Sequence, residues 1–147
     1  SAVTTVARLF DLGLKPYVVA TALEGIIAQR LVRSVCPNCS QPAAPDPAVI
    51  SRLGTVFADI GEIRRGRGCD ACHGSGYKGR VGIYEILTLD DPLRDCIGSG
   101  ASVLEISRQA RQRGLRSIVH HAFERVQAGA TTPDEILRVL GPMTGEY

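Results

Sequence analysis

Two cysteine pairs carry the strongest chemical signal in the chain. Cys36-Pro37-Asn38-Cys39 and Cys69-Asp70-Ala71-Cys72 share a two-residue spacer and are separated by 29 residues. That spacer lets both thiolates of a pair reach one tetrahedral centre from a tight turn. Soft thiolates select zinc or an iron–sulfur cluster, and a closed four-sulfur shell is structural rather than catalytic. Zinc is favoured because the clustered three-cysteine spacing of ferredoxins is missing. Cys36, Cys39, Cys69 and Cys72 are therefore the expected ligands of one structural Zn2+. Free thiols, two disulfides or a redox pair account less well for two matched pairs.

A stability argument points the same way. Segment 36–72 is rich in Pro and Gly and poor in large apolar side chains. A four-thiolate zinc, contributing on the order of 10–16 kcal/mol, is expected to stand in for a core there. Arg64, Arg65 and Arg67 are expected to offset the negative charge of the thiolates. Cys96 stands alone and is expected to be a packed thiol. His73 is not needed once four sulfurs complete the shell. His120 and His121 are adjacent, so on a helix they point about 100° apart and cannot share a metal as an i, i+4 pair does.

Composition excludes several function classes. The 147 residues carry 17 basic and 15 acidic side chains, a net charge of +2, and aromatics make up 5%. Neither a strong basic field nor a row of stacking platforms is present, so nucleic acid is not an expected partner. Arg8, Asp11, Glu24 and Arg30 interrupt the apolar stretches long before the ~20 residues that a membrane-spanning helix needs. The start lacks the parts of a secretory signal, which makes the cytosol the expected compartment. Ser1-Ala2-Val3-Thr4-Thr5 reads as the interior of a longer chain.

The elements that must position the cysteines follow from periodicity and punctuation. Val3, Val6, Ala7 and Phe10 form one helical face, predicting a helix near 1–12 that ends at Gly13. Pro16 opens a second helix whose stripe continues to Ile26. Alternation over 27–35 predicts a strand, and a second strand is expected over 81–89. Between them, Pro37, Pro42, Pro45 and Pro47 predict loop over 36–47. A short helix is expected over 47–58, and glycines keep the backbone irregular to Arg80. Residues 28–34 and 81–87 are expected to pair antiparallel, so that the metal module projects as a knob. Ser102 with Glu105, and Thr132 with Glu135, form capping boxes for helices ending near Gly114 and Gly141, with a helix through Ile118, Ala122 and Val126 between them. The last six residues are expected to fray. The expected fold class is α+β, mostly helical. Its parts are 1–35 (helices and strand), 36–79 (metal module) and 80–147 (strand and C-terminal helices).

Three stretches carry a resemblance. Gly68-Cys69-Asp70-Ala71-Cys72-His73-Gly74-Ser75-Gly76-Tyr77-Lys78-Gly79-Arg80-Val81-Gly82-Ile83-Tyr84-Glu85 is similar to the cysteine-rich signature of the type II secretion and type IV pilus assembly ATPases. Leu23-Glu24-Gly25-Ile26-Ile27-Ala28-Gln29-Arg30-Leu31-Val32-Arg33 resembles the lead into that family's first cysteine pair. Gly129-Ala130-Thr131-Thr132-Pro133-Asp134-Glu135 resembles its C-terminal helix start. The resemblance implies the C-terminal part of a RecA-like ATPase domain, with a β-hairpin carrying the zinc module and a helical bundle after it.

It further implies a homo-hexameric cytoplasmic ATPase, using ATP and Mg2+ and attached peripherally to the inner membrane. Attachment would run through a platform protein and cytoplasmic-domain proteins of the machine. Secretion is favoured somewhat over the pilus. The resemblance also implies that Arg80 lies against nucleotide, whereas the residues alone favour a surface Arg paired with Glu85 or a carbonyl. Where the family commonly has an acidic pair, this chain has His120-His121. No Gly-x-x-x-x-Gly-Lys-[Ser/Thr] loop occurs in these residues, so this stretch alone is expected not to hydrolyse ATP. The alternative is an Hsp40-type zinc-binding chaperone module, suggested by Cys69-x-x-Cys72-x-Gly74-x-Gly76. A zinc-ribbon nucleic-acid binder is opposed by the charge.

Overall fold

The computed structural model describes residues 1–143. Among these residues the chain forms seven α-helices and four strands. In order they are α1 (Ala2–Asp11), α2 (Pro16–Ala22), β1 (Gly25–Val35), β2 (Ser40–Ala43), α3 (Pro47–Leu53), β3 (Ile63–Gly66), β4 (Tyr77–Thr88), α4 (Asp91–Gly98), α5 (Val103–Gln112), α6 (Ile118–Gln127) and α7 (Pro133–Leu140). Single 3₁₀ turns occupy Thr55–Phe57 and Asp70–Cys72. The mixed helix-and-strand class is as expected. No described helix is long and apolar enough to cross a membrane.

Helix boundaries follow the punctuation. Gly13 takes φ 87° after α1, and Pro16 opens α2. The Ser102 and Thr132 hydroxyls accept from the N–H groups of Glu105 and Glu135, both at 3.2 Å. α2 stops at Ala22 instead of running to Ile26, because β1 takes up the chain at Gly25. α4 answers to no expected element. Its Asp90 carboxylate accepts from the Leu93 N–H at 3.0 Å, and Pro92 lies in its first turn.

β1 and β4 are hydrogen-bonded neighbours. Leu89 N–H donates to the Glu24 carbonyl at 3.1 Å and Cys36 N–H to the Gly76 carbonyl at 2.9 Å, so the strands run antiparallel, as expected. β2 and β3 form a second antiparallel pair, with Ser40 opposite Gly66 and Pro42 opposite Arg64. This corrects the expectation of loop over 36–47 and of irregular backbone up to Arg80. A two-stranded ribbon has only edges, and an edge strand tolerates a proline.

Two compact units divide the chain, one from residues 1–28 and 84–118 and one from 29–83 and 119 onward. In the first, Val3 and Val6 of α1, Val19 and Ala20 of α2, Leu93 and Ile97 of α4, and Ile106 and Ala110 of α5 share a buried cluster. Cys96 packs against its edge, a packed thiol as expected. Arg94 ties α4 to the end of α2 by donating to the Ala20 and Leu23 carbonyls at 2.8 and 2.6 Å and to Glu24 at 2.8 Å. Glu85, only 5% exposed, accepts from the Ala2 and Ile118 backbone N–H groups at 2.6 and 3.3 Å.

In the second unit Leu53, Phe57 and Ile63 are almost wholly buried, and the Phe57 ring meets Phe123 edge-on at 5.5 Å. Segment 36–72 therefore contributes large apolar side chains to a core, contrary to expectation. Three such residues spaced along a Pro- and Gly-rich stretch escape a composition argument. Met143 is buried and donates its N–H to the Arg52 carbonyl at 2.8 Å, so the last described residue is anchored. Residues 144–147, the rest of the tail expected to fray, lie outside the described residues.

Candidate metal centre

The four cysteines converge. Cys36 follows the end of β1, Cys39 precedes β2, and Cys69 and Cys72 bracket the 3₁₀ turn before β4. Their sulfurs all lie within 4.8 Å of one another. Cys36 to Cys69 and Cys39 to Cys72 measure 3.9 Å, and Cys69 to Cys72 measures 3.7 Å. A regular tetrahedron with metal–sulfur bonds near 2.3 Å has sulfur–sulfur edges of about 3.8 Å. The spacing thus fits a four-thiolate metal shell and is far from the ~2.05 Å of a disulfide bond. Cys36, Cys39 and Cys72 are buried and Cys69 is partly so. Four sulfurs close the shell and leave no position for substrate, which is the design of a structural site.

Backbone groups prepare this shell. The N–H groups of Cys69 and Gly76 donate to the Cys72 sulfur at 3.2 and 3.3 Å. The Cys69 N–H does most to lower the Cys72 thiol to about 6, against burial that raises it, and Gly76 adds to the effect. Cys39, with burial as its largest influence, is pushed up to about 11. The turn after Cys72 needs His73 in the left-handed region at φ 51°, where His is less disfavoured than most residues. The His73 side chain is exposed and not among the converging ligands. Gly66 and Gly76 meet backbone to backbone: a Cβ on Gly76 would lie 2.6 Å from the Gly66 carbonyl oxygen, and one on Gly66 would strike the Gly76 carbonyl.

The module does not project as a free knob. It shares a compact unit with α7 and most of α6. Arg64 donates to the Ser40 hydroxyl and carbonyl, both at 3.0 Å, and its stem fills the space a Cβ on Gly129 would take. Arg65 pairs with Asp134 at 2.7 Å. Both arginines are engaged by oxygen partners, a use that charge balance at the thiolates did not anticipate. Sequence reasoning also missed Glu135, assigned only a capping role. Its side chain is fully buried beneath Arg33 and Arg138, each within 2.7 Å. Burial pushes its carboxyl up, but hydrogen bonds from Arg138 and Arg33 outweigh this and hold it down at about 2.

The Arg80 side chain is exposed on β4 and makes no hydrogen bond or ion pair with another described residue. Glu85, the partner the residues alone favoured for it, is occupied by the two backbone N–H groups. His120 and His121 sit side by side on α6, partly buried and outside the cysteine cluster.

The sequence matches the family model described as Type II/IV secretion system protein over residues 1–138. It is 41% identical over 139 residues to a type II secretion system protein E of Pseudomonas aeruginosa, covering 95% of this chain and 28% of that protein. To the type IV pilus assembly ATPase PilB of Thermus thermophilus it is 39% identical over 138 residues, covering 92% and 16%. To the type II secretion system ATPase E of Vibrio cholerae it is 35% identical over 143 residues, covering 95% and 27%. The chain thus spans between 16% and 28% of the length of these relatives.

Proposed function

The chain belongs to the Type II/IV secretion system protein family, and from that premise we propose that it is the C-terminal, zinc-bearing part of an ATPase powering type II secretion or type IV pilus assembly. The match over residues 1–138 carries this reading, because it takes in the cysteine pairs and the Gly129–Glu135 segment together. Family membership also selects this reading over the Hsp40-type module and the zinc ribbon. The parent is a RecA-like homo-hexamer in the cytoplasm, bound peripherally to the inner membrane through platform and cytoplasmic-domain partners. Stretches 1–35, 36–79 and 80–147 serve as strand-bearing ATPase segment, metal module and helical C-terminal part.

Cys36, Cys39, Cys69 and Cys72 hold the zinc, a reading supported by sulfur spacings of 3.7–3.9 Å. The ion supplies cross-linking rather than reaction chemistry. ATP and Mg2+ belong to the intact parent, and these 147 residues, lacking the phosphate loop, do not hydrolyse ATP by themselves. Arg80 contributes to nucleotide binding there: its guanidinium is exposed, unpaired among the described residues, and suited to stacking on a base or gripping a phosphate.

Steady-state hydrolysis and elemental analysis of the intact protein test both parts. ATP turnover with one zinc per chain is expected, and Arg80→Ala should raise the KM for ATP while kcat and zinc content hold. An intact protein that does not hydrolyse ATP overturns the ATPase reading. Iron with sulfide in place of zinc overturns the metal assignment, and wild-type kinetics in Arg80→Ala overturn that residue's role.

A further inference from the structure

Four stretches of backbone lead into or out of the cysteine cluster, β1, β2, β3 and β4, and one short segment that supplies no ligand grips three of them. In β1, Arg33 donates its backbone N–H to Glu135 Oε1 at 2.9 Å and its Nε and Nη2 to Oε2 at 2.9 and 2.7 Å. The Arg33 carbonyl accepts from the Thr131 hydroxyl at 2.8 Å, and the Val35 N–H, one residue before Cys36, donates to the Ala130 carbonyl at 2.9 Å. In β3, leading toward Cys69, Arg65 pairs with Asp134 at 2.7 Å. In β4, leaving Cys72, the Tyr77 hydroxyl lies 2.6 Å from the Thr132 hydroxyl, and the Arg33 guanidinium stacks 4.2 Å above the Tyr77 ring.

Burial argues that the junction is built for this. Thr131 and Thr132 are fully buried and Glu135 is 1% exposed. Burying two hydroxyls and a carboxylate is costly unless their partners are in place. Apart from Arg138 of α7, those side-chain partners belong to strands that feed the cysteines, so the segment and the sulfur cluster must be assembled together. A ligand held by partners beyond the coordination shell binds metal more tightly because less ordering remains to be done, and loss of such a partner typically weakens affinity 10–100-fold.

Resting on the reading of the cysteines as a metal site, we infer that Glu135 is a positioning residue for the metal, with Thr131 and Thr132 as its accessories. Its carboxylate holds β1, the strand that leads into Cys36, while Asp134 and Thr132 beside it hold β3 and β4, so metal affinity is set partly at the start of α7. Linkage makes the effect reciprocal: metal binding strengthens the seating of residues 130–135 by the same factor.

Competition between the 147-residue chain and a chromophoric zinc chelator tests this. Glu135→Gln cannot pair with both arginines and is expected to raise the zinc Kd 10–100-fold and to speed zinc release. Glu105→Gln, which removes a carboxylate paired with Arg108 at 2.6 Å in the other unit, should leave the midpoint unchanged. Thr132→Val is the milder variant, should Glu135→Gln fail to fold, and is expected to weaken zinc several-fold with an unaltered helical circular-dichroism signal. A folded variant that loses thermal stability but keeps the wild-type zinc midpoint overturns the inference. A wild-type chain that takes up no zinc overturns the metal reading and this inference together, before any variant is made.

Discussion

In the unit of residues 1–28 and 84–118, Val6, Ile97, Ile106 and Ala110 are completely buried, and the helices that carry them meet through aliphatic side chains. In the unit of residues 29–83 and 119–143, the strands around the cysteines meet instead through sulfur, guanidinium, carboxylate and hydroxyl groups. Aliphatic burial is non-directional and tolerates adjustment, whereas a polar junction is stable only when every partner is present. The first unit should therefore weaken gradually under substitution, and the second should fail at a few positions.

The sharpest break of this comparison is loss of the metal. Cys36→Ser should remove zinc and destabilise the second unit by on the order of 5 kcal/mol or more. Hydrogen exchange should accelerate over 36–43 and 63–76 and stay unchanged over α4 and α5. Uniform acceleration across the chain would show that the units are not independent. Next in size is Ile106→Ala, which should cost about 2 to 5 kcal/mol through transfer and cavity terms, leaving zinc stoichiometry at one by elemental analysis.

Acid sharpens the contrast. The Glu135 carboxyl is held at about 2, below its ordinary value of 4.5. A lowered folded-state value gives stability that is complete above pH 4.5 and is lost as pH falls toward 2. This contribution is on the order of 3 kcal/mol. Urea midpoints followed from pH 6 to 2.5 should converge for wild type and Glu135→Gln as pH falls. The smallest effect is expected from the equivalent chemistry at the surface of the first unit. Arg113→Ala removes an ion pair with Asp90 at 2.9 Å that is largely solvated, and should shift stability by less than about 1 kcal/mol.

The legible parts of the molecule were those specified by neighbours in sequence. Cys-x-x-Cys spacing, the Ser102 and Thr132 caps and the left-handed Gly13 are all local arrangements, and the structure bears each of them out. α4 was missed because only Leu93 and Ile97 of its eight residues are buried, too few for a periodic stripe, although Asp90-Asp91-Pro92 carries an N-terminal signal. β2 was missed because its Pro42 argues against a strand until the two-stranded partnership with β3 is known. Glu135 and Glu85 were invisible in their buried roles, because Arg33 lies 102 positions from Glu135 and Ala2 lies 83 from Glu85. The capping box expected at residues 132–135 forms only by half: the Glu135 N–H bonds the Thr132 hydroxyl, while its carboxylate turns to Arg33 and Arg138 instead of the cap.

The close meeting of Gly66 and Gly76 bears on how this module can vary. A steric clash between two side chains is commonly relieved by shrinking one of them. Here the obstacle to a Cβ at either position is the other residue's own main chain, and neither residue has anything left to remove. No second-site change of side-chain size can rescue Gly66→Ala. In a randomised library selected for zinc retention the two positions should remain glycine together, and a revertant should restore the codon itself.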